Sequence, residues 1–236
     1  MAAKHILTIV PARGGSKGIP GKNIRPFAGK PLIAHSIHAS LACPMVSQTV
    51  VSTDDASIAD VATRYGAEVI KRPAELATDT ALVIEAIRYT VRKVEERGTP
   101  VDVIMLLEPT SPVRRDEDIE RCLQVVLDDT ADSAATYTQS PISPNRLWRI
   151  DGDVVEPYIA GAVPWLPRQK QPVAFELTGQ IYTMSKAILF ADESAISTLL
   201  GRIYPVLTPR ESALDIDTEL DFVMAEKVFE HFHAQA

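Results

Sequence analysis

The chain has 236 residues, 46% of them hydrophobic and 23% charged, with a formal net charge of −7, which excludes a chain that is disordered as a whole. No apolar run approaches the ~18 residues that cross a bilayer, and the first one, residues 6–10, is too short for a signal-peptide core and stops at Pro11. The two cysteines, Cys43 and Cys122, lack CxxC spacing and indicate neither a disulfide framework nor a zinc site, so a cytoplasmic protein without membrane attachment is expected.

Residues 4–10 (KHILTIV) form a short β-branched run that reads as a buried strand. A basic, glycine-rich loop follows. Pro31 then opens an apolar stretch through Leu41 with helical spacing and proline in its first turn. Residues 48–53 (QTVVST) read as the second strand. Asp54-Asp55 then cap a helix carrying Ile58, Val61, Ala62 and Tyr65, which Gly66 stops. A short strand at 68–71 precedes a helix over 81–97, and residues 101–107 (VDVIMLL) are the clearest buried strand. Ile119, Leu123 and Val126 mark a further helix, and residues 132–138 a further strand. This alternation predicts an α/β fold with a mostly parallel sheet.

The pattern changes over 139–176, where six prolines fall among Trp148, Tyr158 and Trp165 and exclude a regular βα unit. This stretch reads as an inserted arm or lid, packed on a partner subunit or on the protein's own core. Strands resume at 181–184 and 203–207, and residues 218–231 form the last helix. The expectation is a single domain over 1–236 carrying that arm.

The net charge hides an asymmetry. Residues 1–53 hold Lys4, Arg13, Lys17, Lys22, Arg25 and Lys30 and no acid, whereas the remainder carries a net −13. Five of those cations lie between Arg13 and Lys30 among five glycines, which predicts a local anion site rather than a binding face for long polyanions. The run from Pro11 to Asn23 has neither P-loop nor GxGxxG spacing, yet it sits where α/β sheets bind ligands. Glycines let backbone N–H groups approach phosphate oxygens; Arg13 offers a planar fork, and Lys17 and Lys22 offer point charges. Asn23, with a donor and an acceptor on one amide, suits a nucleobase edge. A triphosphate is the anion that best matches these cations. Near the other end, Asp215-Ile216-Asp217 places two carboxylates on one side of an extended segment. They suit Mg²⁺, although Asp217 or Thr218 could equally cap the last helix, with Asp221 in its first turn. Of the five histidines, His35 and His38 fall on a helix and His231 and His233 lie near the end, so none declares itself a general base.

ILTIVPARGGSKGIPGKNI, at residues 6–24, resembles the N-terminal motif of the acylneuraminate (CMP-sialic acid) cytidylyltransferase family. The likeness continues through VVSTDD at 50–55, KRPAELATDT at 71–80, LLEPTSPVRRDEDI at 106–119, PRQ at 167–169 and ALDIDTELDF at 213–222. It implies a Rossmann-like nucleotidyltransferase sheet and an enzyme that joins CTP to a 2-keto-3-deoxy sugar acid with release of pyrophosphate. By the same resemblance, Arg13, Ser16 and Lys22 hold the triphosphate, with Lys22 and Arg13 as the catalytic cations. Asn23 and Arg72 contact cytosine and ribose, although Arg72 taken alone reads equally as a surface arginine. Asp215 and Asp217 bind Mg²⁺; Glu108, Arg168 and Tyr182 contact the sugar; and a homodimer forms through an arm like 139–176. The chain departs from the sialic-acid pattern at Glu108, where the family reads Gln, and at 176–179, where Glu-Leu-Thr-Gly replaces Arg-Pro-Asn-Gly. Those carboxylates point to an acid other than plain N-acetylneuraminate, such as a legionaminic, pseudaminic or deaminated nonulosonate. A CMP-Kdo synthetase, or a nucleotidyltransferase of this fold acting on another sugar or sugar phosphate, is the alternative.

Overall fold

The computed structural model describes residues 4–16 and 18–233. The chain opens with β1 (Ile6–Pro11), passes a tight ribbon of β2 (Pro26–Phe27) and β3 (Lys30–Pro31), and enters α1 (Leu32–Ala42). It continues through β4 (Gln48–Thr53), α2 (Ala56–Arg64), β5 (Glu68–Lys71), α3 (Val83–Glu96), β6 (Val103–Leu107), α4 (Asp116–Leu127) and β7 (Ser133–Gln139). A hairpin of β8 (Trp148–Asp151) and β9 (Val154–Pro157) interrupts the alternation. β10 (Phe175–Ser185), α5 (Lys186–Leu189), β11 (Ile203–Leu207) and α6 (Glu219–His233) complete the chain.

Seven strands form one sheet in the order β11-β7-β10-β6-β1-β4-β5, parallel except for β10, which runs against both of its neighbours. Both faces are covered, so the central strands are apolar throughout and alternate between two cores. Ile6 and Val10 of β1, with Val103, Met105 and Leu107 of β6, face α1, α2 and α4. Leu7 and Ile9, with Ile104 and Leu106, face Ile84, Ile87, Val91 and Val94 of α3. A third, smaller cluster joins Ile19, Phe27 and Leu32 to Ile216, Phe222 and Ala225. It staples the loop after β1 to the segment before α6, reinforced by Arg25, whose guanidinium lies 2.6 Å from Glu219 Oε1 and stacks over Phe222.

The arm leaves the sheet between β7 and β10, and the Gln139–Phe175 pair closes its base. Two features differ from the sequence expectation. β10 begins at Phe175 rather than 181, and its register with β7 shifts between Leu177 and Tyr182, where Gly179 takes φ +75°. That break hides the first half of the strand from any alternation rule. β8 and β9 stand clear of the core, with Ile150, Val154, Val155, Tyr158 and Trp165 exposed. Among the described residues no helix is long and apolar enough to cross a membrane.

Candidate active site

The carboxyl ends of β1, β4, β5 and β6 deliver Arg13, Asp54, Arg72 and Glu108 to one edge of the sheet. The chain order reverses direction there, with β1 flanked by β4 and β6, which is where open α/β sheets hold ligands. A cleft of about 420 Å³ opens at this point, and its walls include Arg13, Ser16, Lys22, Asn23, Arg72 and Glu108. Asp217 closes it from the far side, and Thr78, Asp79 and Leu82 form its rim.

The loop after β1 is held in place by local chemistry. Gly21 adopts φ +65° and turns the chain into a 3-10 segment, Lys22–Ile24, which buries Lys22 and Asn23. Asn23 Nδ2 donates to the Arg13 carbonyl at 3.2 Å, fixing the loop and leaving Oδ1 as an acceptor. The Gly14 N–H donates to Asp54 Oδ1 at 3.0 Å, and a Cβ at Gly14 would sit 2.8 Å from Asp55 Oδ2. Arg13 Nη1 lies 2.5 Å from Asp79 Oδ1, and both side chains line the cleft. Lys17 lies outside the described residues.

The acidic segment reaches the same place from the other end of the chain. Ile216 is fully buried, so Asp215 and Asp217, one residue to either side, are exposed together. Lys22 Nζ donates to the Ile216 carbonyl and lies 3.5 Å from Asp217 Oδ1. The competing reading of Asp217 as a helix cap is settled by the hydrogen bonds. The Asp221 N–H donates to Thr218 Oγ1 at 3.2 Å, and Asp221 Oδ2 accepts from the Thr218 N–H at 2.8 Å. Thr218 is therefore the cap, in a reciprocal box that leaves the Asp217 carboxylate facing out.

Electrostatics link this segment to the sugar-side candidates. Burial, then the charge of Asp215, pushes the Glu108 carboxyl up to about 7, against the pull of Arg114, Arg72 and Lys22. Burial, with Glu108 and Asp215 as lesser causes, raises the Tyr182 hydroxyl to about 12 and keeps it a donor. Burial pulls the Arg72 guanidinium down; its Nη2 donates to the Ser52 carbonyl at 2.6 Å, whereas its buried Nε has no partner. Arg72 is thus a buried cation of the cleft and not a surface arginine. Arg168 is exposed in the arm, in the short turn Arg168–Lys170, and Glu176 is exposed on β10 opposite Thr138; neither lines the cleft.

Among the described residues no cluster of three or more His, Cys, Asp or Glu side chains could hold a metal alone. Asp215 and Asp217 offer two hard carboxylates. That donor set fits Mg²⁺, which completes its shell with phosphate oxygens and waters. Sequence reasoning missed Asp54 as the tie to Gly14, Asp79 as the partner of Arg13 and Ser111 as the hydroxyl beside Asp215. All three fall within motifs quoted above for the family resemblance, but only Asp54, one of the adjacent acids read as a cap, had a local signal of its own.

The fold and cleft define a nucleotidyltransferase-type site, with cations gathered opposite Asp217 at the switch point of a mostly parallel sheet, while Asp215 stands exposed beside the cleft. A family model described as cytidylyltransferase matches residues 7–189, and the chain belongs to that family. It is 36% identical over 231 residues to the CMP-N,N'-diacetyllegionaminic acid synthase of Legionella pneumophila, covering 96% of this chain and 97% of that protein. It is 26% identical to an N-acylneuraminate cytidylyltransferase of Streptococcus agalactiae, covering 92% of this chain and 51% of that longer protein. The fold matches a CMP:2-keto-3-deoxy-manno-octonic acid synthetase solved with CTP, with a TM-score of 0.70 at 20% identity over 99% of this chain and 100% of that one.

Proposed function

We propose that the protein transfers the cytidylyl group of CTP to a nonulosonic acid, giving the CMP-sugar and pyrophosphate. The observation that carries this reading is the convergence on Lys22: one ammonium sits between the glycine-rich loop and the acidic pair. In the reaction, the anomeric hydroxyl attacks the α-phosphorus in line, and the bond to the departing pyrophosphate breaks. Arg13, Ser16 and Lys22 bind the triphosphate and offset its growing charge; Asn23 and Arg72 face the base and ribose. Asp215 and Asp217 would hold Mg²⁺, which supplies charge neutralisation on phosphate oxygens when bound.

The sugar lies toward Glu108 and Tyr182, whose electrostatic coupling through Asp215 supports a shared neighbourhood. A homodimer accounts for Arg168. An arm that reaches across to a second copy carries Arg168 to the other cleft and covers Trp165 and Val155, which are exposed in the single chain. The Legionella relative, named for CMP-N,N'-diacetyllegionaminic acid, supports a substrate other than N-acetylneuraminate, as does Glu108 in the cleft wall, whereas Glu176 lies outside the cleft. The test is pyrophosphate release with CTP and Mg²⁺ across a panel of nonulosonic acids and Kdo, repeated with ATP, GTP and UTP. A legionaminic-type acid with CTP is expected to react fastest. N-acetylneuraminate as the best substrate would overturn the choice of sugar, and no turnover with any nonulosonic acid would overturn the activity. Gel filtration of a fully active monomer would overturn the dimer.

A further inference from the structure

We propose that Ser111 is the positioning residue that sets the Asp215 carboxylate for its cation; this rests on the metal reading above. Ser111 is completely buried in the turn after β6, and its Oγ lies 3.2 Å from Asp215 Oδ1 and 3.5 Å from the Thr178 carbonyl. A hydroxyl has one proton to donate. The nearer, ionised acceptor takes it, because a charge-assisted hydrogen bond is about twice as strong as a neutral one. With Oδ1 engaged by Ser111, rotation of the exposed carboxylate is restrained, and Oδ2 with the remaining lone pair of Oδ1 is left for a cation held beside Asp217 at the cleft wall.

The seat of that hydroxyl is built by three separate contacts. The Ile216 N–H donates to the Thr110 carbonyl at 2.8 Å, so the residue beside Ser111 fixes the backbone of the acidic segment. Behind Ser111, the register break of β10 brings Gly179 so close that a Cβ there would lie 3.2 Å from Ser111 Oγ. Thr178 cannot drift, because its hydroxyl pairs with Thr136 Oγ1 at 2.6 Å inside the core. The strand irregularity therefore has a use: it presses a rigid backbone onto the serine that orients the carboxylate. Outer partners of this kind change metal affinity by about 10–100-fold when removed.

The test is Mn²⁺ alone titrated into wild type, Ser111→Ala and Asp215→Ala, followed by the EPR signal of free Mn²⁺. The Mg²⁺ activation constant and the KM for CTP at saturating metal are measured alongside. Ser111→Ala is expected to weaken Mn²⁺ binding about tenfold. Its Mg²⁺ activation constant should rise in parallel, while the KM for CTP moves far less; a general packing defect would move both. If the alanine variant does not fold, Ser111→Cys keeps the volume with a weaker donor and is expected to show a smaller loss in the same direction. Mn²⁺ affinity within twofold of wild type, with Asp215→Ala defective, overturns the role of Ser111 alone. Undiminished Mn²⁺ binding by Asp215→Ala overturns the metal reading itself.

Discussion

Gly18 is where the basic loop touches the acidic segment, and Gly18→Ala tests whether that contact matters. An ideal Cβ at this position would lie 2.2 Å from the Asp217 carbonyl oxygen. Ordinary contact begins near ~3.4 Å, so the two segments must separate by about 1.2 Å. The third apolar cluster resists, because Ile19 and Ile216 are both sealed within it, and overpacking of this kind costs about 1–3 kcal/mol. The melting temperature should then fall by roughly 2–12 °C for a chain of this size. A displacement of about 1 Å near reacting groups costs about 100-fold in rate, or ~2.7 kcal/mol of transition-state stabilisation. The assay is pyrophosphate release well below the melting temperature, with circular dichroism as a check on folding. Gly15→Ala is the control, since nothing lies within 4 Å of its added Cβ. A Gly18→Ala enzyme whose kcat/KM stays within threefold of wild type would refute the reasoning.

Asp79→Asn removes a carboxylate that competes with substrate for Arg13; CTP should bind several-fold tighter by calorimetry, with less than ~1 kcal/mol change in stability for so exposed a pair. Weaker binding would make Asp79 an orienting partner instead. Glu108→Gln probes the carboxyl held near 7. The folded state binds this proton more tightly than the unfolded chain, so the group's contribution is present below about pH 4.5 and lost as pH rises through 7. In metal-free buffer the variant should therefore gain about 2 kcal/mol relative to wild type between pH 5 and pH 8, read from denaturant melts. An offset independent of pH would contradict that assignment. Lys22→Ala and Asp217→Ala should each abolish turnover while far-UV spectra stay native, and EDTA should silence the wild type. Near-normal rates in either variant would remove that residue from the site.

The sheet was legible because its strands are sharply bounded apolar runs. Residues 48–53, 68–71 and 203–207 form the strands that the sequence predicts, and the run before Glu108 fills both cores. The basic loop and the acidic pair were legible as charge patterns. Their meeting was legible only through the family resemblance, because Ile19 and Ile216 pack together across the chain and no local period encodes it. Arg13 with Asp79, and Ser111 with Asp215, lie 66 and 104 residues apart and share no spacing rule. The arm was visible only as a concentration of prolines. Its hairpin leaves Ile150, Val154 and Val155 exposed, which no alternation rule for a packed strand describes.

The small cluster that seals Ile216 also ties together two segments nearly 200 residues apart, Ile19 to Leu32 and Ile216 to Ala225. Residues 214–229 supply half of its packing, so during synthesis the glycine-rich ribbon has no counterpart until the closing helix docks. A chain cut before Leu214 keeps every strand of the sheet but lacks the acids that complete the site. Loss of residues 214–229 would therefore strip the cover from Ile19, Phe27 and Leu32 and remove Asp215 and Asp217 in the same stroke.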